Sequence, residues 1–485
     1  MKSTFLWGAA SLALISSPAL AQEANVQGYP DQSGLDTPAD FEQAQESTAP
    51  VVKETLEQRL ERLEARLQQL EARNKELEAA SSEVETRVQK VEVRAATSVQ
   101  PGVAPSFADV GGNFSFKPRG TLQIDYAGYR SRAGGYDYSN GTDLRRGRLG
   151  FEGTAYKNFK WRVEAELVKG SVNMLDAYVQ YALNPAWQIT AGQHKPAFGL
   201  EANSSDAFNS FIERGMITNA FGAVGAERRI GLSLGYGKDP LYATVGVFGA
   251  SEGVSRSVRA DESYGVNGRI VWEPINEDGR VVHLGASGYH ITNLGTAALA
   301  VEDRPGTRVD GGRIVSVSLS DPQDAQYLGA EAAVVYGPFS VQGEYGKLHV
   351  DRLGAAPSAD FDGFNIFASW FLTGESRPFK NGAVDRLKPL ANFDAASGGK
   401  GAIELLARYD ELDLSDSSIS PLQRKATSWT GGINWYLNPN IKWVLNYIRF
   451  KGTNSPLYIL ANPVAGAGAR TAKGDAIATR LQLDF

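Results

Sequence analysis

The chain has 485 residues, a net charge of −6, 10% aromatic residues, 52 Gly and no Cys, with a mean hydropathy of −0.27. That length exceeds one ordinary compact domain, the modest charge speaks against nucleic-acid binding, and the hydropathy excludes a bundle of membrane helices. A membrane barrel stays open, because polar lumen residues offset apolar lipid-facing ones, while the missing Cys removes both a lipoprotein anchor and a disulfide framework.

Residues 1–21 read as a secretory signal, with Lys2, an apolar core from Phe5 to Ile15, and the small-residue site Ala19-Leu20-Ala21 before Gln22. Beyond it no run approaches 18 apolar residues, so an exported chain of this kind enters a membrane as a barrel. Residues 22–50 are rich in Gln, Glu, Asp, Ser and Pro without periodicity and read as a flexible linker.

Over residues 51–95 the pattern becomes a heptad repeat. Leu60, Leu67, Asn74, Ser81 and Val88 take one seam position; Leu56, Leu63, Leu70, Leu77, Val84 and Val91 take the other. The narrow seam between charged flanks predicts a coiled coil, against the alternative of a helix packed on the rest of the chain. Asn74 is the polar seam residue that can fix register, and some 40 helical residues make a rod of roughly 60 Å. Such a rod is an oligomerisation device, and it could also tether the protein to peptidoglycan or to a cell-wall protein. Residues 96–112, with Pro101, Gly102, Pro105 and Gly111-Gly112, read as a second linker.

From residue 113 to 485 the period is two. Sixteen alternating segments can be counted, an even number that leaves no free edge in lipid and predicts an all-β, antiparallel transmembrane barrel. In one of them Trp161, Val163, Ala165 and Leu167 share a face opposite Lys160, Arg162, Glu164 and Glu166. In another, Leu149 and Phe151 lie opposite Arg146, Arg148 and Glu152. Charges of both signs are costly against a packed core and cheap against water, so Arg146, Arg148, Arg162 and Glu164 are assigned to the lumen wall. Trp272, Trp435, Trp443 and Tyr447 suit interfacial girdles. Short links alternate with long ones, except that a long link after Leu372-Thr373-Gly374 falls where parity asks for a tight turn. The last segment ends on Phe485, an alternating strand with a terminal aromatic that resembles the delivery signal of outer-membrane barrels.

Between the strands beginning at Trp187 and Arg229 lies a charged loop, residues 196–228, which is the candidate constriction. Lys195, Glu201, Ser204, Ser205, Asp206, Glu213, Arg214, Arg228 and Arg229 are the residues expected to set passage there. His194 could face the lumen and tune conductance with pH, or be a solvated wall residue. Arg145, Arg146 and Arg148 could form an anion ladder or pair with inward carboxylates such as Glu152 and Glu164.

Several longer stretches carry a family resemblance: RRGRLGFEG, LDAYVQY, ITAGQHKPAFGLE, AERRIGLSLG, WFLTGESRPFKNGAVDRLKP and INWYLNPN. Through them the chain resembles the phosphate-selective porin O and P family. The resemblance implies a homotrimeric sixteen-stranded porin in the outer membrane of a Gram-negative bacterium, its third external loop folded into each lumen. It also implies that GESRPFKNG lies on the periplasmic side, with the N-terminal rod in the periplasm. Set against that family's constriction loop, Ala202 and Ala207 stand at Lys positions and Asp206 at a Ser position, while Arg214 is kept. The expectation is therefore passive diffusion of small hydrophilic solutes or ions with weak phosphate selectivity, and the alternative a phosphate- or anion-selective channel. The four His are scattered and no nucleophile or phosphate-loop motif occurs, so neither an enzyme, a metal nor a cofactor is expected.

Overall fold

The computed structural model describes residues 55–97, 106–109, 111–168, 170–251, 262–294, 297–463 and 470–485. The signal segment, the first linker, most of the second linker, residues 51–54 and the side chain of Val91 lie outside the described residues.

Helix α1 (Leu56–Thr97) opens behind a reciprocal cap: Gln58 N–H donates to Thr55 Oγ1 (3.4 Å) and Thr55 N–H to Gln58 Oε1 (3.2 Å). Within one chain its seam is bare. Leu56, Leu60, Leu63, Leu67, Leu70, Leu77, Val84 and Val88 are all exposed. Inside the stretch read as the second linker, Phe107–Ala108 forms a two-residue strand paired with Phe116 and Ser115.

The barrel comprises sixteen strands among the described residues: β1 (Phe114–Ala133), β2 (Gly141–Ala155), β3 (Phe159–Glu166), β4 (Asn173–Ala182), β5 (Trp187–His194), β6 (Arg229–Lys238), β7 (Leu241–Phe248) and β8 (Tyr264–Glu277), then β9 (Arg280–Thr292), β10 (Pro322–Tyr336), β11 (Phe339–Arg352), β12 (Ala359–Phe371), β13 (Ala402–Asp413), β14 (Lys425–Tyr436), β15 (Ile441–Thr453) and β16 (Ala472–Asp484). Each pairs antiparallel with the next, and β16 pairs with β1 from Thr121↔Asp484 to Ala133↔Lys473, which closes the wall. No helix among the described residues is long and apolar enough to cross a membrane.

The alternation works as the sequence implies. On β15 the outward positions run Ile441, Trp443, Leu445, Tyr447 and then turn polar at Arg449; on β16 they run Leu483, Leu481, Thr479, Ile477 and turn polar at Asp475. That band is the lipid-facing belt of a membrane barrel, ending where the outward positions turn polar. Cross-strand aromatic pairs mark its end at the tight turns: Trp187 with Tyr236 (4.9 Å between rings), Phe159 with Tyr181 (4.6 Å) and Phe339 with Trp370 (5.6 Å). Tight links at this end include Gly337–Pro338 and Asp278–Gly279, whereas residues 372–401 make the long exception between β12 and β13.

The interior is lopsided. Phe198, Ile217, Phe221, Tyr289, Tyr327 and Val317 belong to a buried apolar cluster that runs along the β9–β16 side. It is built partly by the hairpin Ala298–Asp303 with Val315–Ser320, which folds in from the long-loop end.

Candidate functional site

The link between β5 and β6 turns into the lumen instead of away from it. Gly199 makes the turn with φ +57, and a Cβ there would stand 3.2 Å from the Glu344 carboxylate. Helix α2 (Leu200–Asn203) follows, then a single 3-10 turn, Asp206–Phe208, in which the Ser205 side chain accepts from Ala207 N–H. Helix α3 (Met216–Gly225) is apolar enough to bury Met216, Ile217, Ala220, Phe221 and Val224 in the lumen cluster. Such burial is what holds a short helix that would not persist alone.

Polar groups from the far wall satisfy the backbone of this loop. Glu344 accepts from Glu201 N–H (2.6 Å), Asn446 from Ile212 N–H (2.9 Å) and Asp410 from Met216 N–H (3.2 Å). Asn434 donates to Ser210 O (2.8 Å), Lys442 to Asn209 O (2.8 Å) and Arg480 to Ile212 O (2.6 Å). These buried amides and carbonyls would otherwise go unpaired, and the set lies on β11 to β16. The open space is therefore left against β1 to β5.

A second segment enters from the tight-turn end. Within residues 372–401, Arg377 donates to Ser340 Oγ (3.0 Å), Ser369 Oγ (3.0 Å) and Ser210 Oγ of the constriction loop (2.7 Å), and it pairs with Glu404. Val384 N–H donates to Ser204 Oγ (3.2 Å), and the Arg386 guanidinium lies over the Phe208 ring (5.3 Å). The two inserted segments touch. The length of the second one was visible in the sequence; its contact with the first was not.

What remains is a cavity of about 520 Å³ lined by both segments and by the inward faces of β1 to β5. Eight Lys and Arg side chains line it against five Asp and Glu, so the lining is net cationic. Wall carboxylates are spoken for. Glu152 takes Arg119 (2.6 Å) and Arg162 (2.8 Å), and Asp176 takes Arg228 (2.8 Å). Glu164 takes Arg119 at 3.1 Å.

The expected constriction residues divide into two groups. Lys195, Ser204, Ser205, Asp206, Arg214 and Arg228 line the cavity. Glu201 faces Arg408 of the far wall (3.7 Å) and accepts from Gly215 N–H of its own loop (2.7 Å), and Glu213 is buried against Arg145 (2.6 Å), Arg480 (3.3 Å) and Arg308 (3.4 Å). Arg229 holds the next loop through Gly249 O (2.6 Å) and Ser263 Oγ (2.8 Å). Of the wall residues, Arg148, Arg162 and Glu164 line the cavity. Arg146 lies behind them, donating to Gln123 Oε1 (2.6 Å). His194 lines the cavity while largely buried in the wall, its ring nitrogens 2.9 Å from Gly192 O and 2.8 Å from Ser233 Oγ.

Arg145, Arg146 and Arg148 thus find carboxylates, but on the loop and on Glu166 instead of on Glu152 and Glu164. Asp206 sits 2.6 Å from Arg148, 2.6 Å from Arg214 and 3.2 Å from Arg146. Burial would raise its pKa; Arg146, Arg214 and Arg148 overcome that and hold the carboxyl well below the usual range. It is charged at every working pH. Half-buried Lys195 donates to Ala202 O (2.9 Å), and burial, then the like charge of Arg214, push its pKa down to about 7.

The model of the family described as phosphate-selective porin O and P matches residues 116–485. A Caulobacter vibrioides protein described as uncharacterized is 30% identical over 403 residues, 79% of this chain and 76% of its own. Porin O of Pseudomonas aeruginosa is 28% identical over 390 residues, 70% of this chain and 83% of its own. Among solved structures, in-vitro folded OmpT, an outer membrane protein of Vibrio cholerae, superposes with a TM-score of 0.50 at 12% identity, covering 77% of this chain and 98% of that one.

Proposed function

The chain belongs to the phosphate-selective porin O and P family, and from that premise we propose that its channel passes small anions without capturing them tightly. That it is an outer-membrane channel of a Gram-negative bacterium follows from the family and the porin relative. Family and barrel fold point to a channel and away from an enzyme. Anion preference is carried by one observation, the eight cationic against five acidic side chains around the cavity. Rings of charge set the preference of a pore.

The loop by itself argues for less phosphate selectivity, since Ala202 and Ala207 donate nothing and Asp206 is acidic. The wall offsets this, because Asp206 is neutralised by three guanidiniums while Arg119, Arg162 and Arg228 come from outside the loop or from its last residues. Those guanidiniums already hold carboxylates, so a passing anion meets shared donors, which favours fast exchange over capture. In planar bilayers under a tenfold KCl gradient, the reversal potential should be anion-directed. Below pH 7 Lys195 is protonated and adds a positive charge, so the preference should strengthen on going from pH 8 to pH 6. A cation-directed potential would sink this reading.

The bare seam of α1 supports a further part of the proposal: three copies associate through it as the coiled coil of a homotrimer, and the rod lies in the periplasm and tethers the protein to peptidoglycan or a cell-wall protein. Because the chain has no Cys, Leu67→Cys introduces a single reporter. Oxidation should cross-link chains two at a time through facing seams, and a trifunctional maleimide, which can take one thiol from each of three chains, should carry the ladder to three. A ladder that stops at two would overturn the trimer. Equal recovery with sedimented peptidoglycan after removal of residues 51–95 would argue against the tether.

A further inference from the structure

We infer that the Asp206 carboxylate is the built-in occupant of an otherwise complete oxyanion site, so that the channel carries a phosphate-class binding site in self-filled form. This deepens the anion reading above and rests on it. Three guanidiniums converge on the one carboxylate: Arg148 and Arg214 at 2.6 Å and Arg146 at 3.2 Å. That is the donor set which recognises carboxylate and phosphate oxygens.

None of the three depends on Asp206 for its position. Arg146 is held by Gln123 (2.6 Å), Arg148 by Glu166 (2.8 Å), and Arg214 by the carbonyls of Glu201 and Ser204 (both 3.0 Å). Removing the carboxylate therefore empties the site without releasing its walls. Further donors stand beside it. The Lys195 ammonium uses one of its three protons on Ala202 O, and the exposed Ser205 hydroxyl accepts from Ala207 N–H with its own proton free to donate. Arg148, Lys195, Ser205, Asp206 and Arg214 all open onto the 520 Å³ cavity, so a small oxyanion can reach the place.

Asp206 then acts as a tethered competitor. It keeps the three guanidiniums in a low-affinity state, where an arriving anion must displace a carboxylate that cannot diffuse away. The test is chloride current through the full-length protein in planar bilayers, titrated with inorganic phosphate, for the native chain and for Asp206→Asn, Asp206→Ser and Asp206→Glu. Heat-shifted gel migration checks that each barrel is folded. The Asn and Ser proteins should be blocked at phosphate concentrations at least tenfold below those needed for the native channel. The Glu protein, which keeps the tethered charge, should stay close to native. Folded Asn and Ser proteins with unchanged phosphate sensitivity would overturn the inference, as would equal sensitisation by Glu. If neither the Asn nor the Ser chain folds, Asp206 is a structural counter-ion and the inference falls. The anion reading fails by a separate result, a cation-directed reversal potential in the native channel.

Discussion

Replacing Arg377 by alanine should destabilise the barrel by about 3–5 kcal/mol, the cost of leaving a buried charge without its partner, and should at least double single-channel conductance. Arg377 and Glu404 are both buried, and besides this guanidinium Glu404 accepts from the neutral donors Asn434 Nδ2 (2.9 Å) and Tyr436 OH (3.0 Å). The substitution also removes one of the ties between the two inserted segments and their anchor on the wall, since Arg377 links Ser210 of the constriction loop to Ser340 and Ser369. Urea unfolding in detergent measures the first effect and bilayer recording the second. Native unfolding midpoints combined with native conductance would show that Arg377 does neither job.

The second large effect is on selectivity. Arg162→Gln together with Arg228→Gln leaves six cations against five carboxylates around the cavity. It also frees Asp176, which Arg228 holds at 2.8 Å and Arg162 approaches at 3.8 Å. A unit charge a few ångströms from a passing ion is worth about 1 kcal/mol in water-like surroundings. Losing two should cut the chloride-to-potassium permeability ratio by at least about tenfold at low salt, with the difference shrinking towards 1 M as screening takes over. A ratio within twofold of native at 0.1 M KCl would place the selecting charges elsewhere.

How much of this could be read in advance follows from where periodicity exists. Strands with one face in lipid and one in water declare themselves: Val163 and Leu167 alternate with Arg162, Glu164 and Glu166, and the structure puts them as the alternation implies. The constriction loop has no such period. Glu201 and Asp206 are five residues apart, and nothing local distinguishes the one that turns to the far wall from the one that lines the passage. Pairing failed as a sequence argument for the same reason. The same strand offered Glu152, and its neighbour Glu164, to Arg145 and Arg146, yet the loop, some sixty residues further on, brought Glu213 and Asp206 instead. The segment 372–401 shows the intermediate case. Parity exposed its unusual length, but its insertion depends on Arg377 and Val384 meeting Ser210 and Ser204, residues far away in sequence.

The fastening of the constriction loop to β11–β16 also fixes when the filter can exist. Ile212 is held by Asn446 and Arg480, more than two hundred residues downstream, and β16, which carries Arg480, is the strand that seals the cylinder against β1. Such distant contacts form last, after the chain entropy of closing the intervening loops has been overcome. A half-zipped sheet would therefore have neither a closed wall nor a set filter. Pairing of β16 with β1 closes the wall and brings Arg480 to Ile212, so sealing of the cylinder and full seating of the filter share one strand.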